Sequence, residues 1–100
     1  MKQDVPRATR IEVNCVDKTD RCEPHERIKA IGGGALGQEW KQTQEQAIRW
    51  IEEGTFTYYV HKGGHEVDII VAVSHSGHKY LKTTVDGEQP SNLLNLPVCP

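Results

Sequence analysis

One hundred residues with 12 Lys+Arg against 14 Asp+Glu, a formal charge of -2, set the bounds of this protein. A chain of this length makes one domain that buries roughly 60 to 65% of its unfolded surface, enough for a modest core. The acidic balance lacks the basic excess of nonspecific nucleic-acid binding, no run approaches about 18 apolar residues, and "MKQDVPRATR" has no apolar core, which excludes a membrane span and a signal peptide from the reading.

Residues 1–8 are expected to be disordered and residues 9–97 to form the single globular domain. "TRIEVNCV", from Thr9 to Val16, alternates apolar Ile11, Val13 and Cys15 with polar Arg10, Glu12 and Asn14, the period of one half-buried strand. The loop "DKTDRCEPHE" follows, and "RIKAIG" from Arg27 reads as a second short strand. "GGGALG", Gly32 to Gly37, formally matches a dinucleotide-binding pattern. No helix begins inside it and hairpins follow, so a flexible, ligand-facing connection is the better reading.

"TQEQAIRWIEEG" is the clearest local signal. Thr43 and Gln46 match a capping box, Ala47, Ile48 and Ile51 form an apolar stripe, and Gly54 suits the left-handed C-terminal position, so a helix is predicted over residues 44 to 53. Trp50 sits at the edge of the stripe and Trp40 ahead of the cap.

Three strands come next: "TFTYYVHK", "HEVDIIVAVS" and "KYLKTTV". Gly63-Gly64 suits a two-residue turn, which pairs Lys62 with His65, Val60 with Val67, Tyr58 with Ile69 and Phe56 with Val71 on one apolar face. "HSG", His75 to Gly77, suits a three-residue turn, which sets Leu81 beside Val71; a two-residue loop would set Lys82 there. The predicted fold is α+β: an antiparallel sheet of about five strands, in the order β-β-α-β-β-β, with one helix on one face. The tail "SNLLNLP" should pack Leu93, Leu94 and Leu96 onto an open edge of the core.

Four of the five histidines lie between His61 and His78. His61 and His65 point to opposite faces, and His75 and His78 lie about ten residues along the strand, roughly 30 Å away at ~3.3 Å per residue, so these four cannot share an ion. The alternative metal set is Cys15, Cys22, His25 and Cys99, whose chemistry suits zinc but whose spacing lacks the short paired-cysteine signature. No cofactor is expected. The three cysteines, odd in number and sparse, are read as thiols of a reducing compartment, hence a cytoplasmic protein. Cys22 with His25, and Ser74, Ser76 and His78, lack an orienting group or an oxyanion hole, so binding is favoured over catalysis.

The more informative surface is the sheet face away from the helix, where Tyr59, Ile70, Ala72, Tyr80 and Lys82 should turn outward with His61 and His78 at the ends. Aromatic residues beside a cation can stack bases or form a protein interface. Self-association or a protein partner is favoured over nucleic acid because the chain is acidic.

"PHERIKAIGG", Trp40, "TQEQAIRWIEEG", "KYLKT" and "SNLLNLP", in this order over roughly residues 25 to 97, resemble the small bacterial proteins grouped as domain of unknown function 3892. The resemblance implies the fold boundary and carries no activity or catalytic residue. His25, Lys79, Tyr80, Lys82 and Thr83 lie in its motif segments and join the candidate binding surface.

Overall fold

The alternation of "TRIEVNCV" produces two strands, and the backbone shows why. The structure, a computed structural model, describes residues 9–21, 23–34, 39–87 and 90–99, apart from the side chain of Lys62. The expectations for residues 1–8, for Cys22 and for residues 35–37 of the glycine loop lie outside them. At residues 13 and 14 the chain changes sheets: Val13 N–H donates to the carbonyl of Tyr59 at 2.8 Å, and the next amide, Asn14, donates to Gly32 at 3.0 Å. Before that step β1 (Thr9–Glu12) runs parallel to β5 (Phe56–Lys62), and after it β2 (Cys15–Lys18) runs antiparallel to β3 (Ile28–Gly33). Period-two alternation reports which face a residue occupies and is blind to a change of partner between adjacent residues.

A further strand, β4 (Trp40–Thr43), pairs antiparallel with β3, Gly33 opposite Trp40 and Ala30 opposite Thr43. Its sequence, "WKQT", has too little apolar alternation to announce a strand. β3 is therefore the centre of a three-stranded sheet β2-β3-β4, with Ile28, Ala30 and Ile31 all buried. Gly32 is demanded by close approach: a Cβ there would lie 2.7 Å from the carbonyl oxygen of Trp40 and 2.9 Å from the sulfur of Cys15. The glycine run serves backbone packing at this position.

The helix forms where its caps place it. In α1 (Gln44–Glu53) the Thr43 hydroxyl accepts from Gln46 N–H at 3.1 Å, Gln46 Oε1 accepts from Thr43 N–H at 3.2 Å, and Gly54 closes the end at φ 79°. Ala47 and Ile48 face the core, and Trp50 meets Phe56 edge to face with centroids 5.1 Å apart.

The hairpins adopt the predicted registers. β5 and β6 (His65–Val73) join through Gly63 and Gly64, both at positive φ, with Val60 opposite Val67 and Tyr58 opposite Ile69. β6 and β7 (Lys79–Thr83) set Val71 opposite Leu81, and Gly77 is left-handed at φ 87°. The resulting sheet has the order β1-β5-β6-β7. The fold is α+β as expected, but the expected single antiparallel sheet is corrected to a four-stranded mixed sheet and a three-stranded antiparallel sheet. Both contribute to one core with α1: Val16, Ile28 and Ile31 from the smaller, and Tyr58, Val60, Ile69 and Leu81 from the larger.

The tail closes that core. In α2 (Ser91–Leu94) Leu93 is fully buried, with Leu94 and Leu96 partly buried against the core. Beyond it Val16 N–H donates to the carbonyl of Pro97 at 2.9 Å and Cys99 N–H to the carbonyl of Val16 at 3.1 Å. A disulfide joins Cys15 to Cys99. Among the described residues no helix is long and apolar enough to cross a membrane.

The free edge of β7 meets α1 through one buried side chain. Gln44 Oε1 accepts from Leu81 N–H at 2.9 Å, and Gln44 Nε2 donates to the carbonyl of His25 at 2.9 Å. Gln44→Ala strands a buried strand amide and is expected to lower stability by about 1 to 3 kcal/mol, read as a lower urea midpoint at unchanged slope.

Candidate functional site

The face of the larger sheet away from α1 carries Arg10, Tyr59, His61, Glu66, Asp68, Ile70, Ala72, Tyr80 and Lys82, as the registers of β5, β6 and β7 require. Tyr59 and Ile70 are half-buried and His61 is exposed. The Arg10 guanidinium lies 4.4 Å from the centroid of the Tyr59 ring. From there it reaches across to β6, donating to Asp68 Oδ1 at 2.8 Å and to Glu66 Oε1 at 3.0 Å. The hydrogen bonds to Asp68 and then to Glu66 raise its pKa further. His61 Nε2 stands 4.0 Å from the other oxygen of Glu66.

Two expected members of this surface are inside the protein. Tyr80 is 3% exposed and Thr83 0%. Alternation puts Tyr80 on the outer face, as expected, but the side chain is buried there, so facing outward does not expose it. Thr83 lies opposite Ile69 on the core face, and its hydroxyl accepts from Asn92 Nδ2 at 3.2 Å. The lysines are engaged as well. Lys79 turns to the helix side and pairs with Glu52 Oε2 at 2.5 Å, while Lys82 Nζ donates to the carbonyl of Gly87 at 3.1 Å.

His25 and His78, singled out for unrelated reasons, are brought together. The Pro24–Glu26 turn docks against β7, and the two imidazoles stack with centroids 4.2 Å apart and planes 10° apart. They line a cleft of about 610 Å³ that also takes in Lys29, Glu45 and Lys79. His25 Nδ1 is buried without a hydrogen-bond partner. Neither sequence spacing nor alternation could signal this pairing, because it depends on how a loop folds back over a strand edge.

The serines of the adjoining turn give His78 a contact that resembles catalytic geometry and is built for turn closure. Ser76 Oγ lies 3.0 Å from His78 Nδ1, and Ser74 Oγ accepts from His78 N–H at 3.1 Å. A face-stacked His25 ring cannot orient the imidazole by accepting an in-plane N–H.

The alternative zinc set has two of its members joined to each other. Cys15 and Cys99 are oxidised to the disulfide and present no thiolate, His25 is stacked on His78, and Cys22 lies outside the described residues. Among the described residues no group of three or more His, Cys, Asp or Glu is placed to hold a metal ion. The reading of all three cysteines as free thiols is corrected by the same bond.

A family model described as "Protein of unknown function (DUF3892)" matches residues 12–97. The chain belongs to this family. Neither a curated protein nor a solved structure matches it. The match begins earlier than the motif segments suggested and takes in β2 and Cys15, whereas Arg10 and Cys99 fall beyond its ends. In this DUF3892 chain the matched segment thus supplies the smaller sheet, β5, β6 and β7 of the larger one, the stacked histidines and one half of the disulfide.

That disulfide borders a second cavity, of about 450 Å³, where Asn14, Glu39, Trp40, Lys41 and Pro97 surround the two sulfurs. Cys15 and Cys99 are each 8% exposed.

Proposed function

We propose that this DUF3892 protein is a small binding domain that works by protein association through the outer face of the larger sheet, with a second copy of itself as the first partner. One observation carries the reading: Arg10 is held over Tyr59 by Glu66 and Asp68 on an exposed surface. Exposed ion pairs contribute only about 0 to 1 kcal/mol to folding, so their ordering has small value for stability. It does prepare a rigid Arg–Tyr anchor, and arginine and tyrosine are enriched at the energetic centres of interfaces. The patch carries both signs of charge within one residue cluster, which suits pairing across a two-fold axis.

The nucleic-acid reading has less behind it. Glu12 and Asp68 flank Tyr59 across the strands, and Arg10, Lys79 and Lys82 are each committed to oxygen acceptors of the protein. Phosphate would have to displace those partners. The reading requires no cofactor.

Amide shifts followed through a protein concentration series, and then with short single-stranded RNA, test this directly. Concentration-dependent shifts confined to residues 10, 57–61 and 66–70 are expected, with Arg10→Ala and Tyr59→Ala each weakening association on the order of tenfold or more. Arg10→Ala should change folding stability by under about 1 kcal/mol. A face that is silent to concentration, or that responds to RNA instead, overturns the proposal.

A further inference from the structure

We propose that the Cys15–Cys99 disulfide is an exchange site for a small polar thiol, which enters the 450 Å³ cavity and, by opening the bond, releases the 97–99 segment from β2. The site is separate from the association face and uses different residues.

Three features converge on it. Both cysteines line the cavity, so an opening of the surface leads to the residues that carry the bond. The cavity volume falls in the range of small-molecule sites, about 300 to 1,000 Å³. Its lining is divided, with Trp40, Pro97 and Val98 supplying apolar surface and Asn14, Glu39 and Lys41 supplying polar groups. A thiol bearing amide and carboxylate groups matches that division.

The second feature is the weakness of what else holds the tail. Val16 N–H donates to the carbonyl of Pro97 at 2.9 Å, Cys99 N–H donates to the carbonyl of Val16 at 3.1 Å, and Val98 is 66% exposed. Leu93, by contrast, is fully buried just before this segment. Opening the bond therefore frees a short segment while the core closure stays in place.

The third feature is Gly32. A Cβ at this position would lie 2.9 Å from Cys15 Sγ and 3.0 Å from Cys99 Sγ, so β3 leaves room for the cross-link where another residue would fill the space.

The chemistry balances with two thiols as the reductant. A thiolate attacks Cys99 Sγ, the Cys15–Cys99 bond breaks, and Cys15 leaves as a thiolate that takes a proton from water. Cys99 then carries the mixed disulfide. A second thiolate attacks the sulfur of the bound small thiol, forming the small-molecule disulfide and leaving Cys99 as a thiolate, so two electrons pass from the two thiols to the protein. Cys99 is the attacked atom because its segment can turn outward with the adduct, whereas Cys15 is held in β2 by pairing with β3.

The test uses the oxidised full chain bearing Cys22→Ser, so that the remaining cysteines are the two in question, and reduced glutathione as the probe. Peptide mapping should place the mixed disulfide on Cys99. Hydrogen exchange should show the amides of Val16 and Cys99 losing protection while those of Ile69 and Leu81 keep theirs. In a Trp50→Phe background the emission of Trp40 should rise as the neighbouring disulfide, a quencher, is opened. Asn14→Phe, which narrows the cavity at an exposed position, should slow the exchange several-fold without changing the unfolding midpoint. A bond that yields to glutathione only when urea unfolds the chain overturns the proposal. So does an exchange rate indifferent to Asn14→Phe, or reduction by a protein dithiol with glutathione inert.

Discussion

Cys15→Ala/Cys99→Ala should unfold with a stability between about 2 and 4.5 kcal/mol below that of the oxidised protein. The bond joins residues 84 apart, and the upper figure is the chain entropy that a cross-link of that span removes from the unfolded ensemble. A denatured chain more compact than a random coil has less entropy to lose, which lowers the effect. Two measurements separate the cross-link from the side chains. Reduced wild type, which keeps both sulfurs, should fall close to the double variant, and any gap between them reports packing against Gly32. The urea slope should rise in both, because an uncrosslinked chain exposes more surface on unfolding. Oxidised and reduced proteins with the same midpoint and slope would show that this bond does not constrain the unfolded chain.

The disulfide also marks where sequence reading reached its limit. A span of 84 residues has no local signature, and three cysteines allow any pairing or none. The helix and the two hairpins were legible because their determinants are local: a capping box at Thr43 and Gln46, a left-handed Gly54, and turns whose register can be tested against which residues become apolar neighbours. What failed needed knowledge of partners. β1 and β2 look like one strand until Val13 and Asn14 are seen donating to different sheets, and "WKQT" is a strand because β3 offers it an edge. The site divides the same way. Alternation correctly grouped Tyr59, Ile70 and Lys82, and it also carried the signal for Arg10, a polar-phase residue of "TRIEV" that was passed over. The stacking of His25 on His78 depends on a loop packing over the β7 edge, and alternation, which reports the face Tyr80 occupies, does not report that it is buried.

The association face and the exchange site sit on two consequences of one topological choice. By crossing between sheets at residues 13 and 14, the chain sends Arg10 over the larger sheet and Cys15 to the tail side of the smaller. A single continuous strand would have left both side chains in one sheet.

Tyr58 is where the two sheets are joined, and its substitution should be among the most damaging in the chain. Its ring is fully buried against Phe56 and Trp40, and its hydroxyl donates to Gln42 Oε1 on β4, so one side chain ties β5 to the smaller sheet. Tyr58→Ala removes a whole core ring and should cost about 3 to 5 kcal/mol. Tyr58→Phe keeps the ring and removes only the hydroxyl, for a loss nearer 1 kcal/mol. The hydroxyl also predicts a pH dependence. Burial pushes its pKa from 10.0 up to about 12. The folded state therefore favours the neutral phenol. Its contribution is fully present below pH 10, where the unfolded chain also keeps the proton, and is lost as pH rises from 10 toward 12, where the unfolded chain releases it first. Other groups titrate in that range, so the quantity to measure is the difference between wild type and Tyr58→Phe in urea unfolding from pH 8 to pH 11.5. The difference should be flat up to about pH 10 and then change as wild type loses stability the variant never had. Parallel curves across the whole range would mean that the Tyr58 hydroxyl ionises as readily in the folded protein as in the unfolded one, and that it does not close the seam between the sheets as the geometry indicates.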